Sequence, residues 1–213
     1  MTTPPDPTIT FRRALAADAD QAVPLIYSSG PAAFDYVFSH DRPGQALAFL
    51  RFAFTAADGE FGYRNHLVAE RDGVVIAAGA AWDGRAGLPF MVAAARQILR
   101  FYGPARSPGV IVRGLRVEHV IRQPKAAEFY IAHLGVDPPW RGRGVGERLV
   151  RALLADADPA RHRIAALDVA VANPRAEALY ARLGFRVEAL RASRLQSRYH
   201  AVGDHRRMSL PLG

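Results

Sequence analysis

The segment Arg141-Gly142-Arg143-Gly144-Val145-Gly146 constrains this chain more than any other. It follows an apolar, strand-like run, Glu128 to Val136, that Asp137-Pro138-Pro139 stops. It leads into Gly144 to Ala157, where Leu149, Val150, Leu153 and Leu154 fall on one helix face. Alternating glycines let a backbone turn its N–H groups inward without Cβ clashes. Those amides add to the free N–H groups and positive dipole end of the following helix, so the segment reads as an anion nest. Arg141 and Arg143 can add charge outside it. Two better-known loops are excluded: a P-loop needs Gly-Lys-Ser/Thr, and Gly146 is followed by Glu147 and Arg148. The dinucleotide fingerprint would need glycine where Glu147 stands. A pyrophosphate is the natural ligand for such a nest; the bland alternative is a glycine turn that holds nothing.

Strand and helix alternate around this segment, which argues an α/β chain without internal repeat. Ile164 to Val171 reads as a strand, Asn173-Pro174 as an N-cap with proline at N1, and Gly184 as the C′ glycine that closes the helix. Phe185 to Glu188 and Arg207 to Leu212 look like final strands. Upstream, Ile9 to Arg13 reads as a strand, and Asp18-Ala-Asp-Gln supplies a cap for a helix carrying Ala22, Val23, Leu25 and Ile26. His66–Glu70 and Val74–Trp82 flank Arg71-Asp72-Gly73, a hairpin signal. Residues 31–54 carry helical patches, and 83–127 hold two helical stretches near 90–102 and 109–121. Residues 1–8 read as a flexible tail and 9–213 as a single domain with a helical insertion at about 83–127.

Composition narrows the chemistry. The 213 residues contain no cysteine, which excludes a disulfide scaffold, a thiolate metal site and a cysteine nucleophile; no metal site is expected. The formal charge is +8, and all but one of the 28 Lys+Arg residues are arginine, Lys125 being the exception. These arginines are scattered and not interleaved with stacking aromatics, so a nucleic-acid surface is unsupported and an anionic small ligand is the better use of the charge. No apolar run reaches the ~18 residues that span a bilayer, and the start has no secretory signal. A soluble, cytoplasmic protein is the expectation.

Tyr180 lies seven residues after Asn173, on the apolar face of its helix with Ala176, Leu179 and Leu183. A tyrosine so placed is ordinarily a core residue; its functional reading is a phenol with pKa near ~10, able to hand a proton to a leaving group.

Two blocks together resemble the GNAT superfamily of acetyl-CoA-dependent acyltransferases. Tyr130-Ile-Ala-His-Leu-Gly-Val136-Asp-Pro-Pro-Trp-Arg141-Gly-Arg-Gly-Val-Gly146 is similar to the family's acetyl-CoA-binding segment, whose Arg/Gln-x-x-Gly-x-Gly/Ala signature falls on Arg141, Gly144 and Gly146. The second block, Asn-x-x-Ala-x-x-Leu-Tyr-x-x-x-Gly-Phe, falls on Asn173, Ala176, Leu179, Tyr180, Gly184 and Phe185. The resemblance is specific over 128–188; residues 31–65 and 83–127 match no family element, and 83–127 is longer than the usual link into the fourth strand.

The resemblance implies a mixed, mostly antiparallel sheet flanked by helices, with a V-shaped splay between its two central strands. It implies that acetyl-CoA lies in that gap as acyl donor. Backbone groups of Leu134, Gly135 and Val136 would pair with the pantetheine arm and polarise the thioester carbonyl. Arg141, Gly142, Arg143, Gly144, Val145 and Gly146 would hold the pyrophosphate, and Asn173 would contact the pantetheine. Tyr180 would protonate the departing thiolate while an amine attacks directly in a ternary complex. A base must first take the ammonium proton. Glu128, which shares a strand face with Tyr130 and Ala132 by alternation, is the candidate, against the reading of a solvated strand-end glutamate. By the same alternation His133 points to the opposite face as a structural residue.

The acceptor would bind among 27–65, 83–127 and 189–206. Arg191, Arg194, Arg198, Arg206 and Arg207 crowd the last of these and read as solvated surface, with an acidic group of the acceptor or the CoA 3′-phosphate as the other use. The exposed strand near 185–188 could pair across a homodimer. Beside the N-acetyltransferase stands a second reading, a catalytically silent acetyl-CoA sensor or interaction module.

Overall fold

The computed structural model describes residues 8–39, 43–197 and 200–212. Nearly all of the expected tail, and Arg198, lie outside the described residues. Seven strands, β1 (Thr10–Arg13), β2 (His66–Arg71), β3 (Val74–Asp83), β4 (Glu128–Val136), β5 (Ile164–Ala170), β6 (Arg186–Arg191) and β7 (His205–Pro211), form one sheet in the order β1-β2-β3-β4-β5-β7-β6. Every neighbouring pair is antiparallel except β4–β5. The β2–β3 turn forms as its residues demand: Asp72 and Gly73 both have positive φ, 51° and 78°, the twist that suits a tight hairpin.

Helices cover both faces. On one side lie α1 (Ala19–Ser28), α2 (Pro31–Phe38) and α3 (Gln45–Thr55), with α4 (Gly87–Tyr102) and α5 (Ser107–Val117) packed beyond them. Their core is aromatic: Phe38 stacks on Phe49 at 4.3 Å, and Tyr102 donates its hydroxyl hydrogen to the Phe38 carbonyl at 2.6 Å. On the other side α6 (Val145–Leu154) and α7 (Pro174–Arg182) bury Leu149, Val150, Leu153 and Tyr180 against the sheet. The expected cap at Asp18 does not form. Its carboxylate instead accepts from Arg12 at 2.7 Å and from the Leu15 amide, because the guanidinium of β1 offers two charged donors where a helix offers one neutral amide.

Two irregularities shape the middle of the sheet. The parallel ladder between β4 and β5 ends at Tyr130↔Ala166, although β4 runs on to Val136 and β5 to Ala170. Beyond that point the strands part, and the β5-facing backbone groups of β4 have no strand partner. The second irregularity is a bulge. Ala78 pairs with Gly135 but Ala80 with Ala132, so Gly79 stands opposite both His133 and Leu134. His133 takes φ 58°, one of three non-glycine residues with positive φ among the described residues. The extra residue changes which way the strand faces from there on.

Candidate active site

The opening between β4 and β5 gathers the two sequence blocks at one place. Gly146 sits where three elements meet: a Cβ there would stand 3.4 Å from Leu179 of α7 and 3.5 Å from Val136 of β4. The nest forms as expected, with Gly142 and Gly144 at φ 74° and 77°, a left-handed conformation that L side chains resist. Among the described residues, none of the backbone amides from Gly142 to Glu147 donates a hydrogen bond. Such a run of unused donors at a helix N-terminus fits an anion. Arg141 Nε donates to the Val136 carbonyl at 2.8 Å, tying the loop to the strand end. Arg143 and Arg71 flank Trp140, their guanidinium carbons 5.2 and 4.9 Å from its ring centre. The residues present therefore fit the pyrophosphate of a CoA thioester.

Gly135 has a different reason to be glycine. A Cβ there would lie 2.0 Å from the carbonyl oxygen of Leu25, so α1 rests directly on the backbone of β4. Asn173 caps α7, its Oδ1 accepting from the Ala176 amide at 3.1 Å, and remains exposed. Tyr180 is 8 % exposed and packs edge-on against Phe185 at 6.1 Å. Its hydroxyl has no hydrogen-bond partner among the described residues, and burial pushes it up to about 12. At neutral pH it carries its proton.

Glu128 departs from expectation. It is neither solvated nor free: it is buried, accepts from Arg207 Nη2 at 2.5 Å and from the Lys125 amide at 3.1 Å. Arg207 also donates to Asp168 at 2.8 Å, Asp168 accepts from Tyr130 at 3.0 Å and from Arg191 at 3.0 Å, and the Arg207 guanidinium lies 4.9 Å over the Tyr130 ring. This buried network ties β4, β5, β6 and β7 together where the parallel ladder still holds. A carboxylate so engaged holds strands together at the foot of the opening and is turned to Arg207.

The arginines of the last segment are likewise not simply solvated. Arg191 and Arg207 belong to the network, and Arg206 pairs with Glu177 of α7 at 2.6 Å; Arg194 is exposed. His133 is also re-addressed. The bulge turns its ring to the face of Tyr130 and Trp82, 5.5 Å from the Trp82 ring and stacked on Phe61 at 5.1 Å. Alternation could not show this, because one inserted residue reverses parity. Sequence reasoning also left His66 unplaced; it lies on β2, fully buried, against His133. No cluster of His, Asp or Glu able to hold a metal ion occurs among the described residues, nor any helix long and apolar enough to cross a membrane.

A mixed sheet opened at its parallel pair, with an amide nest at one mouth, defines the class of acyl-CoA-binding transferase folds. The family model described as "Acetyltransferase (GNAT) family" matches residues 32–185, and the chain belongs to that family. Over 90 residues it is 40% identical to the N-alpha-acetyltransferase RimI of Mycobacterium tuberculosis (strain ATCC 25618 / H37Rv), a stretch covering 42% of this chain and 54% of that relative. The match thus spans about half the length of the curated relative. An N-acetyltransferase from Staphylococcus aureus Mu50 superposes with TM-score 0.66 at 18% identity, over 94% of this chain and 100% of that one. A Salmonella typhimurium protein, yncA, solved with its cofactor acetyl-CoA, superposes with TM-score 0.55 at 18% identity, over 96% and 94%. At such identities these structures speak to the fold.

Proposed function

We propose that this protein moves the acetyl group of acetyl-CoA to an amine, the α-amino group of a polypeptide, by direct attack in a ternary complex. The observation that carries the reading is the parted β4–β5 ladder beside a run of undonated amides. Backbone and nest supply donors for a thioester and a pyrophosphate, and the relative of matching sequence acts on α-amino groups. In this reading the amides from Gly142 to Gly146 hold the pyrophosphate with Arg141 and Arg143 beside them. Leu134, Gly135 and Val136 present backbone groups to the pantetheine arm, and Asn173 faces it from the N-cap of α7, just beyond β5. The amine nitrogen attacks the thioester carbon; a C–N bond forms, the C–S bond breaks, and Tyr180 gives its proton to the sulfur. Glu128, held by Arg207, keeps the base of the opening in register.

Thermal unfolding with and without acetyl-CoA tests the donor site. Ligand at 100 times Kd should add ~2.7 kcal/mol, a rise of roughly 5–10 °C for a chain this size. Tyr180→Phe should then cut acetyl transfer about 100-fold or more while leaving that rise intact. Undiminished turnover would remove Tyr180 as the acid. Binding without turnover of any amine, in the native protein as in the variant, would favour the silent sensor.

A further inference from the structure

With Glu128 engaged elsewhere, the proton of the incoming ammonium needs another acceptor. Building on the acetyl-transfer reading, we propose that His133 is that acceptor, acting through Nε2, with His66 fixing its tautomer and Glu60 receiving the proton on its way to solvent.

The argument starts at the far end of the chain of rings. His66 Nδ1 lies 3.0 Å from the Gly62 carbonyl, which can only accept, so Nδ1 carries hydrogen. His66 is wholly buried, and burial, then the neighbouring His133, push it down to about 3; it is neutral, and Nε2 is a bare lone pair. That lone pair faces His133 Nδ1 at 3.2 Å, so His133 Nδ1 must be the donor. Only Nε2 of His133 is left to gain or lose a proton. It stands 3.4 Å from Glu60 Oε1, on a side chain 27% exposed. Unprotonated, Nε2 sets one acceptor against another; protonated, it has a partner. The arrangement is therefore completed by the very proton a base must take.

Position agrees with chemistry. His133 immediately precedes Leu134, in the bulge where β4 has left β5, and faces the α2 side of the sheet. Phe34, Phe61 and Trp82 wall the ring. Its φ of 58° is a costly conformation for a residue with a side chain, kept where the surroundings over-determine it. The titratable groups in contact with the imidazole are Glu60 and His66; α2 and β3 contribute Phe34 and Trp82, which do not titrate. Burial pushes Tyr130 and Glu118 up, and Glu60 in turn acts electrostatically on both in the same direction.

The proton count closes. An ammonium loses two protons on becoming the amide. One passes to His133 Nε2 and leaves by Glu60. The other replaces the proton that Tyr180 has given to the CoA sulfur.

The test uses the full chain, acetyl-CoA and a synthetic alanine-initiated pentapeptide, read by thiol release. His133→Asn suits the backbone, because asparagine tolerates positive φ and its amide can still donate to His66. It should lower kcat about 100-fold at pH 7 without changing KM for acetyl-CoA. The deficit should shrink toward pH ~10, where the amine loses its own proton. Glu60→Gln should move the acidic limb of the wild-type profile to lower pH, since an opposing charge is gone. A deficit equal at every pH, or none, overturns the proposal and leaves the histidines a structural tie. Ring-nitrogen NMR of the labelled protein is independent of any acceptor: His133 protonated at Nδ1 and titrating at Nε2 supports the proposal, and the opposite tautomer overturns it. If neither acetyl-CoA stabilisation nor turnover is seen, acetyl transfer fails as a reading and the NMR result still decides the histidine.

Discussion

The two mouths of the β4–β5 opening are built on opposite plans. On the α6 side the groups on offer are backbone amides from one short loop, supplied by glycine conformation and a helix end. On the α2 side they are side chains, brought by β2, β3, β4, α2 and the 56–65 connection, and held by ring packing and charge. A loop of amides tolerates much change nearby, because each donor is fixed by its own φ and ψ. A side-chain assembly depends on every wall. The first plan suits a ligand shared by many chains; the second suits an acceptor particular to one.

That contrast can be broken, and the largest test is at its foot. Arg207→Met leaves Glu128 buried without its arginine and Asp168 with Arg191 alone, and should cost about 3–5 kcal/mol in urea unfolding. A loss under about 1 kcal/mol would mean that water reaches the network and that the α2 side is less tightly determined than argued. Gly135→Ala drives a methyl into the Leu25 carbonyl and should cost about 1–3 kcal/mol, or more, as α1 shifts.

The pH dependence of stability sharpens the same comparison. His66 binds its proton below about 6.5 when unfolded and only near about 3 when folded. Between those values the unfolded state holds the extra proton, so stability falls with acid, by about 2 kcal/mol between pH 6.5 and 5 from this group. His66→Gln should flatten the profile by that amount, measured as urea midpoints across pH. The smallest loss should come from the nest. Gly144→Ala meets no atom within 4 Å, so only backbone strain of about 1–2 kcal/mol is expected. The same variant should lose most of its stabilisation by acetyl-CoA; if it keeps all of it, the amide side does not hold the ligand.

The amide side was legible because its signals are local. Glycines at 142 and 144 announce positive φ, Asn173-Pro174 announces a cap, Gly184 announces a helix end, and each appears where its residue type requires it. The splay itself follows the two blocks that flank it. The side-chain half was not legible, because its partners are far apart in sequence. Arg207 meets Glu128 across 79 positions, and His66 meets His133 across 67. No spacing rule reports such pairs, which is why Glu128 read as a base and the late arginines as solvated surface. Asp18 failed as a cap for a different reason: its stronger partner, Arg12, is only six residues away but lies on another element.

Counting along a strand works as a reading frame, and the bulge at His133 and Leu134 is a frameshift within it. Upstream, even-numbered residues of β4 face the α1–α2 side; downstream, Gly135 does, against α1, while Leu134 packs toward α6. When such chains are laid side by side, a column that ignores the extra residue compares an imidazole at the opening with a leucine in the core. Deleting Leu134 would leave every glycine of the nest in place and still turn the imidazole of His133 to the α6 side.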